Sequence, residues 1–147
     1  MVYDPSDTIA AIGTAAGGAV SGMVRLSGPQ SLECLQSCFR PIDSDIDSGI
    51  DSGIDSDIDS GIDLADLSEP TVIVGKVVVG DCRIELSCDL FFWPTQKSYT
   101  RQPTAEFHML GSPPLLEGLL SHLLSHGARL AEPGEFTLRA FLAGRLD

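Results

Sequence analysis

The sequence predicts an α+β domain, a mixed β-sheet with two or three packed helices. Three features lead there. Val72 to Val79 is a run of β-prone residues, and Arg83 to Trp93 and Thr104 to Leu110 alternate in character, so strands dominate the middle of the chain. Leu115, Leu116, Leu119, Leu120, Leu123 and Leu124 recur at helical spacing and make one broad apolar stripe. A chain of 147 residues with 43% apolar content supports one core, so residues 1–147 are read as a single domain.

In chain order, Asp7 to Thr14 is short and mostly apolar, a buried strand. Ala15-Ala16-Gly17-Gly18 turns the chain into a second strand, Val20 to Leu26. Ser27-Gly28-Pro29 places proline where a helix can start, and Gln30 to Phe39 aligns Leu32, Leu35 and Phe39 on one helical face. Gly80-Asp81 joins Val72–Val79 to Arg83–Trp93 as a hairpin, with Ile84, Leu86, Cys88 and Leu90 on one side. In the following strand Ala105, Phe107 and Met109 face one way, and Glu106, His108 and Leu110 the other. Ser112-Pro113 caps and starts the leucine-rich helix, Gly127 ends it, and Ala128-Arg129-Leu130 is a short strand. Pro133-Gly134 turns into a last helix. Glu135 suits its positive end, Phe136, Ala140 and Phe141 share one side with Leu138 and Leu142 close by, Arg139 lies on the other, and Gly144 stops it.

Residues 43–63 stand apart. They repeat Ile-Asp-Ser-Gly or Ile-Asp-Ser-Asp, with Ile at 46, 50, 54, 58 and 62. Asp, Ser and Gly are poor helix formers and the like charges repel. Closely spaced carboxylates suit calcium, yet neither an EF-hand loop nor a glycine-rich nonapeptide repeat is present. The stretch is read as a solvated, low-complexity insertion. Lengthening a loop from about 5 to about 25 residues adds only roughly 1.4 kcal/mol of closure entropy, so a surface loop can carry it.

Composition narrows the function classes. The net charge of −12 includes eight aspartates from residues 43–63, so the rest of the chain carries only −4 and neither supports nor excludes a nucleic-acid surface. No stretch approaches the roughly 20 apolar residues of a membrane span, and the first residues lack a signal peptide's basic and apolar regions. A soluble, cytoplasmic protein is expected. Cys34, Cys38, Cys82 and Cys88 include no Cys-x-x-Cys pair and are expected to be buried, reduced thiols. His122 and His126 lie four apart, a spacing that can bind zinc, but without a third ligand they read as solvent-facing side chains. His108 stands alone, and no nucleophile elbow or Gly-x-x-x-x-Gly-Lys-[Ser/Thr] loop is present.

The wording of several segments carries a resemblance. Pro133-Gly134-Glu135-Phe136-Thr137 followed by Arg139-Ala140-Phe141-Leu142 and Gly144-Arg145-Leu146-Asp147 closely resembles the close of the N-terminal domain in the MnmE/TrmE family. Members are GTP-dependent enzymes that modify the wobble uridine of certain tRNAs. Asp7-Thr8-Ile9, Arg25-Leu26-Ser27-Gly28-Pro29 and Ser98-Tyr99-Thr100 match the family's pattern too. Three departures stand beside them. Ala15 to Ala19 has lost the prolines and arginine of a Pro-Pro-Gly-Arg-Gly-Gly loop, Arg101-Gln102-Pro103 replaces Gly-Glu-Asp, and Leu110-Gly111-Ser112 replaces His-Gly-Gly. The resemblance covers nearly all of the chain outside the repeat, but a third or less of a full-length member. The family's helical domain, P-loop GTPase domain and C-terminal cysteine motif have no counterpart here.

The resemblance implies a fold shared with folate-binding domains of the glycine-cleavage aminomethyltransferase type. It also implies a homodimer and a site for 5-formyltetrahydrofolate or a related one-carbon tetrahydrofolate. It places that cofactor at Arg25, Glu106 and Arg145, the last a lysine in many members. A pterin presents an amide-and-amine edge to a carboxylate, and a folate's glutamate tail presents carboxylates to cations. No catalytic or metal-ligating residue is assigned, no GTP site is expected, and the chain alone is not expected to be active. Implied partners are helical and GTPase domains on another chain, a flavin-dependent MnmG-type protein, and tRNA only indirectly; no membrane is implied. The alternative is a degenerate dimerisation module that no longer binds folate. An aminomethyltransferase-like enzyme, a third class, would need catalytic residues that the sequence does not offer.

Overall fold

The computed structural model describes residues 6–13, 20–42 and 61–144. Residues 43–60 of the repeat, the Ala15–Ala19 loop and Arg145 lie outside them.

Among the described residues seven strands form one sheet: β1 (Thr8–Ile12), β2 (Ser21–Ser27), β3 (Phe39–Pro41), β4 (Thr71–Val79), β5 (Ile84–Trp93), β6 (Thr104–Leu110) and β7 (Ala128–Leu130). Three helices accompany them there: α1 (Ser31–Cys38), α2 (Pro113–Ser125) and α3 (Glu135–Leu142). The strand order is β3-β4-β5-β6-β2-β1-β7. The β1–β7 pair is parallel and the other five pairs are antiparallel, so the sheet is mixed. A short 3₁₀ turn, Leu64–Asp66, leads toward β4, with the Asp63 carboxylate accepting from Ala65 N at 3.0 Å.

Strand alternation sends one set of side chains under α1 and α2. Val24 and Leu26 of β2, Leu90 and Phe92 of β5, and Phe107 of β6 meet Leu35, Leu119 and Leu123 there, each essentially removed from solvent. Burying a leucine or phenylalanine of this kind stabilises by about 2 kcal/mol, so this layer holds the sheet flat against the helices. The expected inward face of β6, Ala105, Phe107 and Met109, is the buried one. Ile84 departs from the expected apolar side of β5, being 48% exposed at the hairpin end. Leu124 likewise falls at the edge of the α2 stripe rather than in the core.

Two glycines explain close approaches. Gly28 has φ +142°, and a Cβ there would lie 2.5 Å from Thr8 Cα, which accounts for glycine in the turn from β2 to α1. At Gly75 a Cβ would come 2.3 Å from the Arg40 carbonyl oxygen, so only glycine lets β3 pair with β4. That three-residue edge strand has no period of its own. Ser112 caps α2 through its carbonyl, which accepts from Leu115 and Leu116 N, rather than through its hydroxyl.

Cys34, Cys38 and Cys88 are buried free thiols, but Cys82 is exposed in the β4–β5 turn, against the expectation for it. Burial pushes Cys38 and Cys88 up to about 12 and raises Cys34 as well. No helix among the described residues is long and apolar enough to cross a membrane.

Candidate functional site

The other face of the sheet carries the polar residues. Successive strands place Val72, Phe91, Glu106, Arg25 and Ala11 side by side in one cross-strand row. The neighbouring row holds Val74, Asp89, His108 and Met23. Glu106 therefore sits near the middle of an open face, with Arg25 directly opposite it on β2. Arg25 Nε donates to Glu106 Oε2 at 3.1 Å, and Nη2 lies 3.1 Å from the same oxygen in the ion pair. The second oxygen, Oε1, lies 3.1 Å from His108 Nε2; a carboxylate accepts, so the imidazole nitrogen donates. Phe91 packs against the His108 ring, with centroids 4.4 Å apart. Arg25 also reaches the face of Phe136, its guanidinium carbon 5.5 Å from the ring centroid.

Beside this pair opens a cleft of about 550 Å³. Its walls come from β2, β5, β6, α3 and the segment after β5: Arg25, Glu106, Trp93, Tyr99, Lys97 and Thr137. Hydroxyls floor it. Ser27 Oγ lies 2.7 Å from Thr100 Oγ1 and 3.1 Å from Thr104 Oγ1, and the two threonine hydroxyls are 3.2 Å apart. The turn that supplies Tyr99 and Thr100 is tied by Ser98, whose Oγ donates to Gln102 O at 2.5 Å and accepts from Gln102 N at 3.1 Å. Lys97 binds Glu69 at 3.1 Å with both side chains about two-thirds exposed, so its ammonium is held only loosely.

The helix that closes one side of the cleft is anchored in an unexpected way. Arg139, expected to face outward, is 2% exposed, while Leu138, Phe141 and Leu142 are 42%, 56% and 56% exposed. Arg139 points inward because partners wait for it. Its Nη1 donates to the Asp7 carbonyl at 2.6 Å and to Gln102 Oε1 at 3.0 Å, and its Nη2 to Glu135 Oε2 at 3.4 Å. Gln102 thus accepts from Arg139 at a place where the family pattern has a glutamate. Glu135, 5% exposed, also takes a fork from Arg129 at 3.0 and 2.7 Å and a bond from Glu132 N at 2.9 Å. The Arg129 bonds foremost bring its carboxyl down to about 2, and the same bonds push Arg129 up.

Of the three expected site residues, Arg25 and Glu106 meet in one ion pair, and Arg145 lies outside the described residues. Trp93, Lys97 and Thr137 were not assigned to a site from the sequence; the Ser98-Tyr99-Thr100 match pointed to one wall and the Pro133–Thr137 match to another. His122 and His126 stack at 4.0 Å; His126 is exposed as expected, and His122 is part-exposed with its Nε2 3.0 Å from Ser37 Oγ. Burial, then His126, lowers its pKa. Among the described residues no group of three His, Cys, Asp or Glu could hold a metal ion.

Residues 8–145 match the family model described as the GTP-binding protein TrmE N-terminus. The chain is 42% identical over 147 residues, all of its length, to the tRNA modification GTPase MnmE of Rhodopirellula baltica. It is 37% identical over 142 residues, 96% of its length, to that of Carboxydothermus hydrogenoformans, and 37% identical over 150 aligned positions to that of Thermoanaerobacter pseudethanolicus. The chain spans 27–28% of the length of these relatives.

Proposed function

The chain belongs to the TrmE N-terminal family, and from that membership we propose that it is a folate-binding and homodimerising module serving tRNA wobble-uridine modification. The observation that carries the folate reading is the cleft of about 550 Å³ with the Glu106 carboxylate at its wall. That volume lies within the range of small-molecule sites. Its donor set fits a tetrahydrofolate. Glu106 suits the adjacent amide and amine N–H groups of a pterin, Trp93 and Tyr99 offer flat apolar faces, and Arg25 and Lys97 suit the carboxylates of the tail. Arg145 is proposed as a further cation for the same ligand. When bound, a 5-formyl-type folate supplies a one-carbon unit; the residues of this chain bind and orient it.

Helical and GTPase domains, a flavin-dependent MnmG-type protein and a cytoplasmic setting complete the proposal, with tRNA reached only indirectly. The exposed Leu138, Phe141 and Leu142 support association, because an apolar helix face of this kind gains by being covered. Calorimetric titration with 5-formyltetrahydrofolate tests the folate reading. Micromolar binding that Glu106→Gln abolishes is expected; unchanged affinity in that variant would remove Glu106 from the site. A second reading, a dimerisation module without folate, draws support from Glu106 already having both oxygens engaged by Arg25 and His108. It predicts a dimer by light scattering and no heat of folate binding.

A further inference from the structure

We propose that His108 is a positioning residue for ligand recognition: it holds the plane of the Glu106 carboxylate so that both oxygens face a ligand edge bearing two adjacent N–H donors. This inference rests on the folate reading and specifies how that site tells one ring from another.

Arg25 cannot set that plane alone. Both of its contacts end on Oε2, so the carboxylate can still turn about that oxygen. The torsion involved is broad and nearly two-fold, with little intrinsic preference to fix it. His108 reaches Oε1, two residues along β6 on the same face, at 3.1 Å. The two oxygens are therefore anchored from different sides, Oε2 from β2 and Oε1 from β6. His108 is itself braced by Phe91, whose ring lies 4.4 Å away at 53°, and Phe91 is the cross-strand neighbour of Glu106 on β5. Glu106 is thus held by one residue from each of β2 and β6, with a β5 aromatic behind the second.

A purely structural role accounts poorly for this arrangement. The His108 side chain is 38% exposed, and contacts of that kind add little stability. Orientation is a different matter, since a supporting side chain left loose commonly weakens binding by tenfold or more. A 2-amino-4-oxo pyrimidine ring, as in a pterin, offers two parallel N–H donors and gains from a fixed carboxylate plane. A ring lacking the 2-amino group offers one donor and gains little.

The test compares 5-formyltetrahydrofolate with its 2-desamino analogue by calorimetry on the wild type and two polar variants. In His108→Gln the amide nitrogen reaches the place of Nε2 and can donate to Oε1; in His108→Asn it stands nearer the place of Nδ1 and cannot. Expected is a loss of about tenfold for the parent folate in His108→Asn, a change within about twofold for the analogue, and recovery of most of the loss in His108→Gln. Equal losses for both ligands, or no loss in His108→Asn, would overturn the role of His108 and leave the folate reading standing. If the wild type took up neither ligand, the folate reading would fall and this inference with it.

Discussion

Arg25 and Glu106 stand directly opposite each other on β2 and β6, and both arginine contacts converge on the single oxygen Oε2 at 3.1 Å. A ligand that uses Glu106 must share that oxygen with the arginine or displace it. The pair is part-exposed, 34% and 18% for the two side chains, so its contribution to folding is small. Glu106→Gln is therefore expected to change unfolding stability by no more than about 1 kcal/mol in a urea titration. A loss several times larger would make Glu106 a structural residue and disqualify the variant as a probe of binding.

Glu135 behaves differently. Its carboxyl sits at about 2 in the folded chain, below the ordinary 4.5, because Arg129 donates two bonds and the Glu132 amide a third. A depressed carboxyl stabilises the fold above its unfolded value, and that contribution is lost as pH falls from about 4.5 to about 2. Glu135→Gln should lower stability at pH 7 by on the order of 2–3 kcal/mol and flatten the acid limb of the stability curve. Removing it would also take the Glu135 carboxylate away from Arg139, which is 2% exposed. His122 acts in the same direction nearer neutrality. Its lowered pKa means that stability present above about 6.5 declines as the medium becomes more acid.

The thiols give a simple count. Burial raises Cys34, Cys38 and Cys88, whereas Cys82 is exposed in the β4–β5 turn. The thiolate is the reacting form, so a disulfide reagent should label one thiol quickly in the folded chain and four after denaturation. Cys82→Ser should remove the fast phase. Rapid reaction of two or more thiols would mean that the core around α1 and β5 opens readily.

Patterns confined to one segment were legible in the sequence. The β6 alternation placed Glu106 and His108 on one face and Phe107 and Met109 on the other, and the leucine stripe located α2. What distant segments do to each other was not legible. Arg25 and Glu106 become partners through a register between strands 81 residues apart. Arg139 turns inward because Asp7 and Gln102, 132 and 37 residues away, supply acceptors that its own helix cannot reveal. β3 exists because Gly75 lets the Arg40 carbonyl approach, which no periodicity in three residues could announce. The packing of Phe91 against His108 was hidden for the same reason, because it joins residues of two different strands.

Arg101 is one place where a departure from the family pattern meets a physical cost. It has φ +58°, a left-handed conformation, where Gly-Glu-Asp would place glycine. Its amide donates to Ser98 O at 3.3 Å and closes the turn that presents Tyr99 and Thr100 to the cleft. A side chain held there costs about 1 kcal/mol, and glycine would relieve that while giving back part of it as unfolded-chain entropy. Arg101→Gly should raise stability by about 0.5 kcal/mol, and Arg101→Val should lower it by about 1–2 kcal/mol, because a β-branched residue tolerates this region least. Thermal melts of the three proteins would rank Gly above Arg above Val. Equal midpoints for Arg and Val would show that the turn adjusts freely, and Tyr99 would then be a movable wall of the cleft rather than a fixed one.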